Sequence, residues 1–157
     1  MPSRVGILRV DPFGAFAQAV ARETPTRITI VSPWINDEHD RMVKLAALVR
    51  HAVRERAAIV LVTRPPVSEA HKRAVRLIES APRSQVHFNR RLHAKLYVCE
   101  CRARSGFAVI GSANGTGNSA RLDEVAVLIR PVGGSMIISE LAGPTVRGLM
   151  DSRTRNR

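Results

Sequence analysis

Hydrophobic residues recur at two spacings along the chain, alternating or continuous in some stretches and helical in others, and the switches between them divide it into elements. Val5 to Val10 is a short apolar run that reads as an edge strand. Asp11-Pro12 then offers an N-cap and a proline at the first helical position, and Phe13, Phe16, Ala17 and Val20 share one face of a helix over Phe13 to Arg22. Thr24-Pro25 stops it. Arg27 to Val31 alternates and is β-branched, predicting a strand that enters the Ser32-Pro33-Trp34 turn. Asn36 or Asp37 caps a long helix to about Arg56, with Met42, Leu45, Ala46, Val49, Ala52 and Val53 as its buried stripe. Its other face carries Arg41, Lys44, Arg50 and Arg54, either a solvated face or a ridge that tracks phosphates.

Ala57 to Thr63 is continuously apolar, the pattern of a strand buried on both sides, and Pro65-Pro66 ends it. Ser68 caps a helix to Ser80 with Ala70, Ala74, Val75, Leu77 and Ile78 inward. Gln85 to Phe88 is a short strand, Leu92 to Cys99 and Phe107 to Ile110 form a hairpin, and Glu124 to Ile129 is a further strand after a loop at 115–118. Met136 to Met150 reads as a helix broken at Gly143-Pro144, followed by a basic tail from about residue 151. Neither a linker nor a repeat is visible, so residues 1–157 are expected to form a single domain. Interleaved helices and strands predict an α/β fold with a mixed central β-sheet flanked by helices on both faces.

Composition narrows the partners. The chain has 25 Lys and Arg, only three of them Lys, against 13 Asp and Glu, a net charge of +12. Such a charge attracts polyanions, nucleic acid (DNA or RNA) first and an anionic membrane second. No apolar run is long enough to span a bilayer and no leader is recognisable, which predicts a cytoplasmic protein with no membrane partner. Cys99 and Cys101 stand too close along one strand for an ordinary disulfide and lack metal-type spacing, so they read as reduced, with no metal and no cofactor expected.

The chemistry concentrates between Arg90 and Glu124. On a strand, residues two apart share a face, which would make His93 and Lys95 project together. An imidazole can attack phosphorus or protonate a leaving oxygen, and an ammonium beside it neutralises charge growing on the phosphoryl oxygens. Ser112 and Asn114, also two apart, would aim a hydroxyl and an amide at the same phosphate. Glu124, an acid opening an apolar strand, is placed to hold the other ring nitrogen of a histidine. Arg90 and Arg91 precede the site and suit flanking phosphates. His39, His51, His71 and His87 have no such constellation and read as surface or satisfied core residues, and Trp34 as a core anchor, with a pocket wall or base stack as the alternative.

His93-x-Lys95, with Gly111-Ser112-x-Asn114 after the next apolar run and Glu124 beyond, resembles the phospholipase D superfamily, whose signature is His-x-Lys, an Asp after four intervening residues, then Gly-Ser-x-Asn. Arg27 to Asn36 is similar to an early core strand of that family with its Ser-Pro-Trp turn. Two departures stand out: Glu100 occupies the Asp position, and the spacer CRARSG is longer, making a longer turn with Arg102 and Arg104 as further candidates for nucleic-acid contact.

The resemblance implies the phospholipase D-like fold and a metal-independent phosphodiesterase, similar to the small dimeric bacterial endonucleases of the superfamily. The family's chemistry uses two facing His-x-Lys motifs, and this sequence has one, which implies a homodimer with the site on the two-fold axis. There His93 would be nucleophile in one protomer and general acid in the other, Lys95 and Asn114 would clamp the phosphoryl oxygens, Ser112 would shape the phosphate pocket and Glu124 would orient His93. Two alternatives remain at this stage: a non-catalytic nucleic-acid-binding or dimerisation module of a larger assembly, and a phospholipid hydrolase.

Overall fold

A computed structural model describes residues 4–9, 11–36, 39–102, 105–115, 124–131 and 136–150, with the backbone alone for 39–43. The elements run β1 (Arg4–Leu8), α1 (Pro12–Val20), β2 (Pro25–Val31), α2 (His39–Arg54), β3 (Ala58–Thr63), α3 (Glu69–Glu79), β4 (Ser84–Phe88), β5 (Leu96–Cys101), β6 (Gly106–Gly111), β7 (Ala126–Arg130), α4 (Met136–Glu140), a π-helical turn (Leu141–Thr145) and α5 (Val146–Met150). The strands form one mixed sheet in the order β1-β7-β6-β5-β2-β3-β4. β2, β3 and β4 are parallel to one another, and the remaining neighbours are antiparallel.

Alternation along the strands sends side chains into two apolar layers. On one face Ile28, Ile59, Leu61, Tyr97, Cys99 and Phe107 pack against α1, α2 and α3. On the other Val31, Val60, Val62, Leu96, Val98 and Ala108 pack under α4, the π turn and α5. The continuous apolar run of β3 follows from burial on both sides. Cys99 and Cys101 are free thiols in the first layer, their sulfurs 3.7 Å apart.

Local signals act where the sequence places them. Asp11 caps α1 from a left-handed backbone, its carboxylate accepting from Gly14 N at 3.0 Å, and Ser68 caps α3 by accepting from His71 N at 3.1 Å. The long turn of the β5–β6 hairpin is closed by Gly106, where a Cβ would stand 2.3 Å from Cys99 O.

The structure departs from the sequence reading in several places. Leu92 to Lys95 lie outside any strand, because β2, the partner of β5, reaches only to Val31 opposite Leu96 and then turns through Ser32-Pro33. The C-terminal helix does not break at Gly143-Pro144 but widens into the π turn, which absorbs a proline that has no N–H to give. On α2, Leu48 is buried and Val53 is exposed, a small rotation of the expected stripe. Trp34 is 40% exposed rather than a core anchor. The loop at 116–118, Arg104 and the basic tail lie outside the described residues.

The second helical layer covers only part of the sheet. Val5 and Ile7 of β1 are 64% and 66% exposed, and they pair with Ile129 and Val127, which face the same way and are half-buried. Ile110, opposite Val127 on β6, continues this apolar strip. No helix among the described residues is long and apolar enough to cross a membrane.

Candidate active site

The three parallel strands end side by side, and the residue just past each carboxyl end, Ser32, Arg64 and Asn89, helps build one site. Buried Asn89 turns the chain from the edge strand back toward the middle of the sheet. Its backbone N donates to Thr63 O at 2.8 Å, its side-chain amide donates to Leu149 O at 2.8 Å, its side-chain carbonyl accepts from Arg91 N at 2.9 Å, and its backbone carbonyl accepts from Leu92 N at 3.1 Å. Arg64 then claims the carbonyl of Leu92 through Nε at 2.8 Å. Beyond that anchor His93 is exposed and Lys95 half-buried, and the carbonyl of Lys95 joins the sheet by accepting from Gly111 N at 3.3 Å.

The facing turn starts at Gly111, where a Cβ would meet Val125 O at 2.4 Å, so only glycine lets β6 leave the sheet here. Ser112 N donates to Val125 O at 3.1 Å and Val125 N donates to Ser112 Oγ at 3.3 Å. The Ser112 hydroxyl donates to the Glu124 carboxylate. Ala113 is buried and its carbonyl accepts the Tyr97 hydroxyl at 2.7 Å, tying the turn to the aromatic cluster of Phe13, Phe16, Tyr97 and Phe107. Gly115 N donates to Ser32 Oγ at 3.0 Å, and Ser32 Oγ donates to Trp34 O at 2.7 Å.

Between the two arms lies a cavity of about 400 Å³ lined by His93, Lys95, Gly111 and Ser112 below and by Leu141 and Leu149 from the C-terminal helical segment. Burial holds the Lys95 ammonium below the ordinary lysine range; the Arg64 guanidinium pushes the same way and the Glu124 carboxylate opposes both. An accessible imidazole, a poorly hydrated ammonium and a hydroxyl on one cavity suit a tetrahedral anion and its attack by nitrogen.

The structure thus brings His93, Lys95 and Ser112 together. Asn114 follows in the same turn, half-buried but outside the cavity lining. Glu124 sits beside them, yet its hydrogen bond goes to Ser112, and no bond joins it to His93. Arg90 and Arg91 are exposed on the turn leading to His93. Exposed Arg102 and half-buried Glu100 stand at the opposite end of the β5–β6 hairpin, a strand's length of about 17 Å away. Glu100 leaves the hairpin register intact, pairing with Gly106; burial raises its pKa and Arg27 opposes that. Sequence reasoning did not select Arg64 and Asn89, and the signal for them is position: each directly follows a parallel strand.

Neither a protein-family model nor a curated protein matches the chain. Solved structures do. NucT from Helicobacter pylori is similar over 96% of this chain and 98% of its own, at 13% identity and a TM-score of 0.70. Nuc from Salmonella typhimurium, a phospholipase D family member, is similar over 99% and 96%, at 18% identity and a TM-score of 0.66. A polyphosphate kinase from Porphyromonas gingivalis shares the fold over 98% of this chain and 27% of its own, at 14% identity and a TM-score of 0.65. The mixed sheet, seven-stranded among the described residues and flanked by helices on both faces, is therefore the phospholipase D-like fold.

Proposed function

We propose that this chain, which has the phospholipase D-like fold, is a metal-independent phosphodiesterase that cuts nucleic acid through a phosphohistidine formed on the two-fold axis of a homodimer. The observation that carries the reading is the cavity itself, where His93, Lys95 and Ser112 meet and where His93 is the only histidine among the described residues that line it. Displacement at phosphorus by nitrogen needs an acid on the opposite side of the phosphoryl group, and a second copy of the chain supplies one.

In the first step a ring nitrogen of His93 attacks phosphorus, a P–N bond forms, the P–O bond to the leaving strand breaks, and the partner subunit's His93 gives that oxygen a proton. In the second step the partner subunit's His93 takes a proton from water as its oxygen attacks phosphorus, and the P–N bond breaks to free the nucleophile. Lys95 and Asn114 stabilise the charge on the phosphoryl oxygens. Ser112 shapes the phosphate pocket, and Glu124 fixes Ser112 and balances Lys95 in place of the expected hold on His93.

Two further observations support this. The net charge of +12 favours a polyanionic substrate. The uncovered apolar strip of Val5, Ile7, Val127, Ile129 and Ile110 runs up to the cavity, which Ile110 lines, and so provides a face for a second copy beside the site.

Incubation of wild-type and His93→Ala proteins with labelled DNA and RNA in EDTA, with molar mass followed by light scattering, tests the reading. Cleavage by a wild-type dimer that disappears in His93→Ala is expected. Cleavage retained by a pure His93→Ala protein, or dependent on added metal, would overturn it.

A further inference from the structure

Trp34 is the sequence's only tryptophan, and it is a large apolar side chain left 40% exposed where Phe13, Phe16, Tyr97 and Phe107 are buried. It is also held on several sides. Its carbonyl accepts the Ser32 hydroxyl at 2.7 Å, and the Arg64 guanidinium lies over the indole ring, 4.7 Å from its centroid. Arg64 is itself fixed by its bond to Leu92 O at 2.8 Å. The indole therefore has one face backed by a cation in a set position and keeps accessible surface elsewhere.

Its anchors place it at the site. Ser32 also accepts from Gly115 N at 3.0 Å, next to Asn114, while Leu92 is next to His93. The charge of Arg64 reaches Lys95 strongly enough to help lower its pKa. Trp34 and Arg64 thus bridge the two arms that carry the reacting groups, at the margin of the phosphate cavity. Nothing in the transfer chemistry uses an indole there.

We infer that Trp34, backed by Arg64, is a stacking platform for an unpaired base next to the scissile phosphate, so that the preferred substrate is single-stranded nucleic acid. The inference rests on the nuclease reading and names its substrate class. An aromatic face accepts the π-face of any base, and a guanidinium behind it adds a cation to the stack. A base inside a duplex has both faces covered by its neighbours and reaches such a platform only after unstacking.

The test uses His93→Ala protein in EDTA, so that nothing is cut, and reads the fluorescence of Trp34. The probes are a short oligothymidylate, an abasic strand of equal length, a duplex and inorganic polyphosphate, with binding followed independently by anisotropy of labelled strands. Quenching by oligothymidylate, and not by the abasic strand or polyphosphate, is expected. Trp34→Leu in the same background should bind oligothymidylate roughly tenfold or more weakly while binding the abasic strand unchanged. Binding of oligothymidylate without quenching, equal quenching by the abasic strand, or a duplex bound and quenching as well as the single strand overturns the platform and leaves the nuclease reading standing. Failure of every nucleic acid to bind overturns the nuclease reading, and the platform with it.

Discussion

The hydroxyl of Ser112 donates to the carboxylate of Glu124, so the acid is committed to the Gly-Ser-x-Asn turn rather than to His93. Its charge nevertheless reaches Lys95, where it raises a pKa that burial and Arg64 depress. The site is thus a balance of one anion against two cations, and its electrostatics can be moved in either direction.

Glu124→Gln keeps an acceptor for Ser112 and removes the charge that favours the Lys95 ammonium. The basic limb of the pH profile of kcat/KM is expected to move to lower pH. Arg64→Gln, which removes the charge disfavouring the ammonium, moves it to higher pH. Lys95→Ala should lower kcat by about 10² to 10³. Rate profiles of the three variants check this, and equal shifts for Glu124→Gln and Arg64→Gln would contradict it.

Because the proposed site needs His93 from both copies, wild-type and His93→Ala subunits mixed and re-equilibrated in equal amounts should retain about a quarter of the activity rather than half. Ile7→Glu places a charge on the uncovered apolar strip. That variant is expected to be a folded monomer by circular dichroism and light scattering, with activity lost.

His71 is 2% exposed. Thr63 Oγ1 donates to Pro33 O at 3.2 Å and so accepts from His71 Nε2 at 3.0 Å, which leaves Nδ1 buried without a partner among the described residues. Burial lowers the His71 pKa from 6.5. Below pH 6.5 the unfolded chain therefore binds the proton that the folded chain resists, and stability falls as pH drops through the window between the two pKa values. Above it this contribution is fully present. Melting temperature measured against pH should show this decline in the wild type and a shallower one in His71→Gln.

Tyr97→Phe removes the hydroxyl that holds Ala113 O and leaves a buried carbonyl unpaired. A loss of about 1 to 2 kcal/mol is expected, read as a melting temperature lower by about 2 to 8 °C. Activity should fall further than the folded fraction does, because the bond positions the turn that carries Ser112 and Asn114. Unchanged melting would show that the turn holds itself.

Where a signal was local, the sequence carried it. Asp11 and Ser68 cap the helices they precede, Ala58–Thr63 is apolar throughout because both its faces are covered, and the spacing of Leu45, Val49 and Ala52 turns α2 inward. What failed to show depends on distant partners. Leu92 to Lys95 have the composition of a strand but no neighbour on the β2 side beyond Val31, and a side chain from β3's end takes the Leu92 carbonyl instead. Arg64 looks like one arginine among many until the sheet sets it beside Trp34 and Lys95. The sequence singled out Glu124 but not its bond to Ser112, because that pairing is fixed by how β6 leaves the sheet at Gly111.

The Ile35–Gly115 bridge and the Gly115–Ser32 bond join segments 80 and 83 positions apart. During synthesis, a chain emerging from the ribosome therefore displays its His-x-Lys pair before the turn that faces it exists. The same holds for a proteolytic fragment cut ahead of Gly106: it keeps His93 and Lys95 but lacks Gly111 and Ser112 from the cavity wall and the Glu124 counter-charge for the ammonium. The candidate site comes into being only when β6 has closed onto β5 and β7 onto β6, so a nascent or clipped chain carries the motif without the cavity.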